Sequence, residues 1–322
     1  GTPFRRGFIA AQNVANSPHV QPPPSHDQMS QHHHILNQIA PDRHVVIAGP
    51  TASGKSALAL EIAQTQGGTV VNADALQVWS CWRVLTARPP HEDEARAPHV
   101  LYGHVAPGRA YSVGEWLSEV SGLPGRLIVV GGTGLYLNAL TRGLAVIPPT
   151  PAEIRATADR LRTAPGGLGQ MVAGLDAPTR ARIDLQNPVR VQRAWEVLTA
   201  TGRGIVEWQA ETPPPLIAPE SAHLLVLQSE RDWLAGRIAR RFHLMIEQGA
   251  LEEVREMLPR WDAEALWAKA IGAADLVAYL QGYTTLDEAI ERAIIASRQY
   301  AKAQRSFFRG RMRDWNWVGA AT

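Results

Sequence analysis

The sequence predicts an α/β fold in which helices cover a parallel β-sheet. Three short apolar runs rich in β-branched residues, at 45–48, 69–72 and 127–130, alternate with loops and helical patterns. Strands that alternate with helices in this way pair in parallel. A fourth apolar run, at 224–227, follows a long helical stretch and predicts a strand that returns to the same sheet.

Composition indicates a globular chain with room for more than one structural part. It has 322 residues, of which 45% are hydrophobic and 19% charged, enough for a core domain and an addition. The formal net charge is only +2, so any nucleic-acid surface must come from local clusters of basic residues. No apolar run approaches membrane-spanning length. The single cysteine, Cys81, excludes an intramolecular disulfide and a Cys-rich zinc module.

The segment that follows the first predicted strand is a phosphate-binding loop. It consists of Gly49, Pro50, Thr51, Ala52, Ser53, Gly54, Lys55 and Ser56, and a helical pattern begins near Lys55. Small residues let backbone N–H groups turn towards a phosphate, Lys55 adds a positive charge, and the Ser56 hydroxyl can hold Mg²⁺. We therefore expect the chain to bind a di- or triphosphate.

The ends of the next two strands indicate what happens to that phosphate. Asp74 follows the run 69–72 and, in a parallel sheet, lies on the same edge as the phosphate loop, where it can act as a general base. A turn or helix-cap role is the alternative for a lone Asp at this place. The run 127–130 ends in Gly131-Gly132-Thr133, where an ATPase would carry its Mg²⁺-binding Asp. A hydroxyl there favours holding a leaving pyrophosphate over assembling a hydrolytic water.

Further motifs follow the phosphate loop in a fixed order. They are found at residues 73–79 (ADALQVW), 86–89 (TARP), 111–113 (YSV), 131–136 (GGTGLY), 148–155, 190–197 and 298–309. Their order and spacing resemble those of tRNA dimethylallyltransferases, also called tRNA isopentenyltransferases, over residues 45–317. The resemblance implies a P-loop NTPase-like parallel-sheet core with a helical insertion and a helical C-terminal part.

The resemblance implies transfer of a dimethylallyl group to the exocyclic amine of the adenosine just 3′ of a tRNA anticodon, in tRNAs that read codons beginning with U. The donor is dimethylallyl diphosphate, held by the phosphate loop in place of ATP, with Mg²⁺ as cofactor at Ser56. In this family pattern Asp74 accepts the amine proton, while Thr133 and Lys55 stabilise the departing pyrophosphate. Gln77 contacts the target base.

The resemblance also implies a surface for the anticodon stem-loop of tRNA. Its members are Asp74, Ala75, Leu76, Gln77, Thr133, Arg155, Arg190, Gln192, Arg193, Lys302, Arg305 and Arg309. Between residues 298 and 317 basic residues alternate with aromatic ones, which suits phosphate pairing and base stacking. A solvated helix packed by its aromatic residues is the alternative. A second basic cluster, on a predicted helix, adds Arg231, Arg237, Arg240 and Arg241.

The chain divides into four predicted parts. These are a disordered extension (1–42) that includes a His run at 32–34, the first part of the P-loop core (43–149), a tRNA-facing helical insertion (150–206), and the core return with basic C-terminal helices (207–318). The His run could bind metal adventitiously. No zinc finger of the kind found in eukaryotic relatives follows Trp317, so we expect a bacterial type that works in the cytoplasm. We also expect a monomer that does not bind membranes.

Some positions depart from the family pattern. Ala75 stands where Ser is usual, and Ala273-Ala274 replaces an expected Tyr-Lys pair. These departures leave open a catalytically silent tRNA-binding homologue, and the phosphate loop alone leaves open a small-molecule kinase. None of them touches Lys55, Asp74 or Thr133, so tRNA prenyl transfer is the leading hypothesis.

Overall fold

A computed structural model describes residues 35–319 and shows one parallel sheet. Its strands are β1 (His44–Ala48), β2 (Thr69–Asn72), β3 (His99–Val100), β4 (Leu127–Gly131), β5 (Ala222–Gln228) and β6 (Asn316–Gly319). They lie in the order β3-β2-β4-β1-β5-β6, and every neighbouring pair is parallel. The predicted α/β class and all four predicted strands are confirmed. The edge strands β3 and β6 were not predicted, since β3 has only two residues and β6 lies in the basic C-terminal stretch.

Helices lie on both faces of the sheet and in an insertion. Four belong to the first part: α1 (Lys55–Gln66), α2 (His91–Arg96), α3 (Val113–Ser121) and α4 (Gly134–Arg142). Five lie between α4 and β5: α5 (Ala152–Thr163), α6 (Gly167–Ala173), α7 (Ala177–Arg182), α8 (Pro188–Thr201) and α9 (Ile205–Ala210). Four follow β5: α10 (Arg231–Glu247), α11 (Ala250–Met257), α12 (Ala273–Leu280) and α13 (Leu286–Arg311). Short 3₁₀ turns occur at Pro219–Ser221, Leu258–Arg260 and Trp267–Lys269.

The sheet is buried on both faces because successive strand residues point to opposite sides. Along β1, Val45 and Ile47 pack in the apolar cluster that contains the buried face of α1. Val46 and Ala48 pack in the larger cluster with α3, α4 and the C-terminal helices. All four side chains are fully buried. This packing fixes the strand ends, and therefore the loops that leave the carboxyl edge of the sheet.

The chain before β1 also packs on the core. Residues 35–38 are helical, and Ile35, Leu36 and Ile39 are buried in the same cluster as α1. The Gln66 side chain donates to the carbonyl oxygens of Leu36, at 3.0 Å, and Ile39, at 3.3 Å. The prediction of a disordered extension up to residue 42 is therefore wrong for residues 35–42, where three apolar side chains find a place beside α1. Residues 1–34, with the His run, lie outside the described residues.

Helices α5, α6 and α8 share an apolar core of their own. Its buried members are Ala158, Met171 and Val191, none of which belongs to the clusters around the sheet. Helix α9 packs on α7 and α8, so the predicted boundary at residue 206 falls inside a helix that continues the insertion. The separate core supports the predicted helical insertion, with its end nearer residue 210.

The long helix α13 links the C-terminal helices to the carboxyl edge of the sheet. It begins with a capping box, in which the Thr285 hydroxyl accepts from the Glu288 N–H and the Glu288 carboxylate accepts from the Thr285 N–H. Its buried face carries one polar residue, Gln304. No helix within residues 35–319 is long and apolar enough to span a membrane.

Candidate active site

Three loops meet at the carboxyl edge of the sheet. The phosphate loop follows β1, Asp74 follows β2, and Thr133 follows β4, which lies between the other two strands. The Thr133 N–H donates to the Ala73 carbonyl at 3.2 Å, and the Ala75 N–H donates to Thr133 Oγ1 at 2.9 Å. These two bonds hold the segments of Asp74 and Thr133 side by side.

The phosphate loop has the backbone shape that an anion site requires. Ala52 and Gly54 both have positive φ, 62° and 91°, and the Ser53 N–H donates to the Pro50 carbonyl. Gly54 is the N-cap of α1 and brings no side chain to the helix terminus. The first turn of α1 holds no acidic residue, so the positive end of the helix dipole remains available to an anion.

Two cations face this loop. Lys55 Nζ donates to the Pro50 carbonyl at 3.3 Å, and Arg241 Nη1 donates to Thr51 Oγ1 at 3.2 Å. Burial lowers the pKa of Lys55 from 10.5 to about 8; the charge of Asp74 opposes the shift and that of Arg241 adds to it. Burial likewise lowers the pKa of Arg241 to about 10, again against the charge of Asp74. Two cations and one carboxylate thus share a site that a diphosphate would complete.

Arg241 is a site residue that the sequence suggested for a different role. Its basic neighbours Arg231 and Arg240 are exposed and fit an RNA surface, but Arg241 turns towards the phosphate loop. On α10 it lies seven residues after Leu234 and three after Ile238, both buried. That helical spacing places it on the inward face of α10, and is the signal that could have separated it from the cluster.

Asp74 is fixed by its own turn. Its N–H donates to Asn72 Oδ1 at 2.9 Å, its carbonyl accepts from Asn72 Nδ2 at 3.0 Å, and its Oδ1 accepts from the Leu76 N–H at 2.9 Å. The turn role considered as the alternative is therefore present, but it occupies only one carboxylate oxygen. Oδ2 takes part in none of these bonds and can accept a proton.

Three tyrosines lie near Asp74. Burial raises the pKa of Tyr102, Tyr136 and Tyr300, and in each case the charge of Asp74 raises it further. Tyr136 stacks on Trp116 with ring centroids 4.7 Å apart. Tyr136 is buried and Tyr102 and Tyr300 are half-buried, so the surroundings of the carboxylate are partly aromatic.

Gln304, from α13, joins two of the three loops. Its Oε1 accepts from the Thr51 N–H at 2.9 Å, and its Nε2 donates to the Gly132 carbonyl at 3.0 Å. The side chain is 5% exposed. A Cβ atom on residue 132 would lie 2.1 Å from this Nε2, so the close approach requires glycine there. The phosphate loop and the Thr133 loop are therefore held in a fixed relation by the C-terminal helix.

A magnesium ion fits this edge only if the substrate supplies most of its ligands. Ser56, in the first turn of α1, is exposed. Within residues 35–319 no group of three His, Cys, Asp or Glu side chains could hold a metal. Mg²⁺ beside phosphates is commonly bound by phosphate oxygens, waters and one or two protein oxygens. The Ser56 hydroxyl suits that arrangement.

Known proteins share this combination of loops. The family model described as IPP transferase matches residues 77–311, and the model described as isopentenyl transferase matches residues 43–101. The tRNA dimethylallyltransferase of Paracoccus denitrificans is 74% identical over 299 residues, covering 90% of this chain and 99% of the relative. The chain belongs to the tRNA dimethylallyltransferase family. The resemblance drawn from the sequence motifs is confirmed.

Other relatives and solved structures agree on the family. The tRNA dimethylallyltransferase of Dinoroseobacter shibae is 61% identical over 285 residues, 87% of this chain and 96% of the relative. A tRNA isopentenylpyrophosphate transferase from Bacillus halodurans superposes with a TM-score of 0.62 at 28% identity, over 87% of this chain and 90% of that one. A eukaryotic dimethylallyltransferase acting on tRNA gives 0.74 at 25% identity, over 86% and 74%. The P-loop-like core and the enzyme class are therefore confirmed.

The residues that the family pattern turns towards tRNA differ in their surroundings. Arg155 and Arg190 on the insertion, and Lys302 and Arg309 on α13, are exposed, and Arg305 is half-buried. The side chains of Gln192 and Arg193 are bonded inside the insertion. Gln192 donates to Asp159 at 2.8 Å and Glu196 at 2.9 Å, and Arg193 donates to Thr150 at 2.7 Å. A tRNA contact by either must compete with these bonds, and it stays a prediction.

The aromatic residues near the C-terminus pack mostly inside the protein. Phe308 and Trp315 are buried in the main apolar cluster, and the Phe307 ring covers Gly134. The base-stacking role expected for this stretch is wrong for Phe308 and Trp315, because their side chains lie on the inward side of α13 and of the turn that follows it. Phosphate pairing by the exposed basic residues of α13 stays a prediction.

Proposed function

We propose that this protein transfers a dimethylallyl group from dimethylallyl diphosphate to the exocyclic amine of the adenosine 3′ of a tRNA anticodon. The main support is the joining of Asp74 and Thr133 beside a phosphate loop that carries two cations, Lys55 and Arg241. Family membership gives the class of reaction, and this geometry gives each group a task.

The reaction forms a bond between the amine nitrogen and the first carbon of the prenyl group. The bond from that carbon to the diphosphate oxygen breaks, and its electron pair leaves on the pyrophosphate. Negative charge therefore grows on the leaving group, where Lys55, Arg241 and the N-terminus of α1 stabilise it. Thr133 can add a hydroxyl donor to the same oxygens. The amine proton passes to the open Oδ2 of Asp74.

Mg²⁺ bound at Ser56 would neutralise part of the diphosphate charge. Other residues of the chain position the catalytic groups. Asn72 and the Leu76 N–H orient Asp74, while Gln304 holds the phosphate loop against the Thr133 loop. Orientation of this kind is a large part of the rate gain when a weak nucleophile such as an aryl amine must attack.

The adenine has to leave the anticodon stack to reach Asp74. Tyr300, near the carboxylate, is only half-buried and offers a ring face on which a displaced base can lie. Exposed cations on the insertion and on α13 are available to hold the RNA backbone, and Arg155, Arg190 and Lys302 are examples. We propose that the two surfaces grip the anticodon stem-loop together.

The two alternatives receive less support. A small-molecule kinase would share the phosphate loop, but the family is one of prenyltransferases, and Thr133 stands where an ATPase carries its Mg²⁺-binding Asp. A silent tRNA-binding homologue would rest on Ala75, Ala273 and Ala274. Ala75 contacts Thr133 through its backbone N–H, which a Ser-to-Ala difference preserves, and Ala273 is packed in the core while Ala274 is exposed. These departures leave the contacts of the site intact.

Mass spectrometry of the RNA product tests the proposal. The protein is incubated with Mg²⁺, dimethylallyl diphosphate and an unmodified anticodon stem-loop with adenosine at the target site. We expect the RNA to gain one dimethylallyl group, and Asp74→Asn to abolish the gain. RNA that binds but gains nothing would support the silent homologue, and transfer of phosphate from ATP would support the kinase. Since one chain supplies every residue of the site, we also propose a monomer, which sedimentation measures.

A further inference from the structure

A carboxylate outside the three loops of the active site holds the loop that follows Gln77. Glu253, on α11, accepts three backbone hydrogen bonds from a loop about 170 residues earlier in the chain. Its Oε1 accepts from the N–H groups of Arg83 and Val84, both at 2.8 Å, and its Oε2 from that of Leu85 at 2.9 Å. Three consecutive N–H groups on one carboxylate form a charge-assisted cap, stronger than neutral hydrogen bonds.

The far end of the same loop holds Gln77. Its Nε2 donates to the carbonyl oxygens of Thr86, at 2.8 Å, and Ala87, at 3.1 Å. Both amide protons are thereby used, and Oε1 remains as the atom that can accept a bond from a base. Ala87 has φ of 50°, a conformation that a side-chain-bearing residue keeps only where its surroundings fix it.

Gln77 is in turn tied to the catalytic turn. Its N–H donates to the Asp74 carbonyl at 3.1 Å, and its carbonyl accepts from the Gly103 N–H at 2.8 Å. The path from Glu253 to Asp74 therefore consists of the loop 83–87, the Gln77 side chain and one backbone hydrogen bond. Each step is a contact of ordinary length.

We propose that Glu253 is a positioning residue for the tRNA substrate. By clamping residues 83–87 it fixes the direction of the Gln77 carboxamide, and so the place of the target base beside Asp74, while touching neither the base nor Asp74. This inference rests on the proposed function through the assignment of Gln77 to the base. It predicts an effect on the RNA acceptor and none on the prenyl donor, whose phosphate loop has separate supports.

The fold offers a variant and a matched control. Glu253→Gln keeps one acceptor oxygen but turns an NH₂ group towards a backbone donor, so the clamp loses at least one bond and its charge. The loop keeps other anchors, since the Trp82 indole donates to the Trp267 carbonyl at 2.8 Å and Arg83 pairs with Glu94 at 3.2 Å. Glu252→Gln removes the same charge one position away, from an exposed side chain that pairs with Arg255.

Steady-state kinetics with both substrates varied tests the inference. For Glu253→Gln we expect kcat/KM for the anticodon stem-loop to fall about tenfold while KM for dimethylallyl diphosphate stays within about twofold. Glu252→Gln should match the wild type. Glu253→Asp, which keeps the charge with shorter reach, should fall between them. Equal losses for both substrates, or no loss, would overturn the inference.

A double-mutant cycle asks whether Glu253 acts through Gln77. Because Gln77→Ala removes the group that the clamp positions, adding Glu253→Gln to it should cost nothing further. A full tenfold additional loss in the double variant would contradict the inference. Thermal melting of each variant separates loss of fold from loss of position. If the wild type transfers no prenyl group at all, the proposed function fails and this inference falls with it, a result visible before any variant is made.

Discussion

The carboxyl edge of the sheet and the helical insertion differ in how their functional side chains are held. At the sheet edge, Asp74, Thr133 and Gln304 each make hydrogen bonds to the backbone of a neighbouring segment or their own turn. On the insertion, Arg155 and Arg190 are exposed and extend from helix surfaces. The difference indicates that the groups at the sheet edge are held in place by the protein itself. We propose that the exposed cations of the insertion become ordered only when RNA binds.

The largest expected effect comes from removing the base at the sheet edge. Asp74→Asn keeps the turn, since its side-chain oxygen can still accept from the Leu76 N–H, but it cannot take a proton. We expect the prenyl-transfer rate at saturating substrates to fall about 10²- to 10⁴-fold. RNA affinity, measured by fluorescence anisotropy, should change little. A variant that keeps more than about a tenth of the rate would exclude Asp74 as general base.

Substitution of Arg241 tests whether this cation, which faces the phosphate loop, contributes more to the transfer rate than its exposed neighbour Arg240. Arg241→Gln removes a half-buried charge that contacts Thr51, and loss of one such donor lowers the transfer rate by about 10²-fold in comparable sites. Arg240→Gln removes an exposed charge and serves as the control. We expect the control to affect RNA binding at most. Equal effects of the two variants on the transfer rate would mean that Arg241 acts as part of a diffuse basic surface.

The lowered pKa of Lys55 predicts a pH dependence of donor binding. In the free protein the ammonium loses its proton as the pH rises through about 8, while a bound diphosphate favours the charged form. Affinity for dimethylallyl diphosphate should thus be constant below pH 8 and fall about tenfold per pH unit above it. Arg241, with a pKa of about 10, does not contribute to this break. Calorimetry should show the break, and Lys55→Arg should remove it because guanidinium stays charged.

The smallest effect is expected on the insertion. Arg190→Ala removes one exposed cation, so tRNA affinity should weaken a few-fold and the slope of log affinity against log salt should decrease by about one. Binding measured at several salt concentrations checks this. Gln192→Ala is a useful comparison, because the Gln192 side chain is already bonded to Asp159 and Glu196. A larger loss of RNA affinity for Gln192→Ala than for Arg190→Ala would show that the insertion rearranges on binding.

The sheet edge could be predicted from sequence because its main groups follow strand ends. A phosphate loop after β1, Asp74 after β2 and Thr133 after β4 need only a parallel sheet to meet, and the strand patterns predict one. The Asp74 turn is likewise local, since Asn72 and Leu76 complete it within two residues on either side. Functional residues that are placed by short-range sequence patterns can therefore be predicted from the sequence alone.

The supporting contacts could not be predicted, because they join distant parts of the chain. Gln304 reaches Thr51 across 253 positions and Arg241 reaches it across 190. Their placement depends on how α10 and α13 pack, which residue type does not reveal. The insertion shows the converse, since Gln192 and Arg193 have RNA-binding residue types but find partners on neighbouring segments of the insertion. The charge of a residue therefore does not reveal whether its side chain is exposed at the surface or bonded within the protein.

We propose that the sheet edge performs the chemistry and that the insertion holds the RNA. Single-turnover transfer and RNA affinity, measured in parallel for Asp74→Asn and Arg190→Ala, test it most directly. We expect Asp74→Asn to lose the transfer rate with unchanged RNA affinity, and Arg190→Ala to lose affinity but reach the wild-type rate at saturating RNA. The reverse pattern, or loss of both quantities in both variants, would contradict this division of labour.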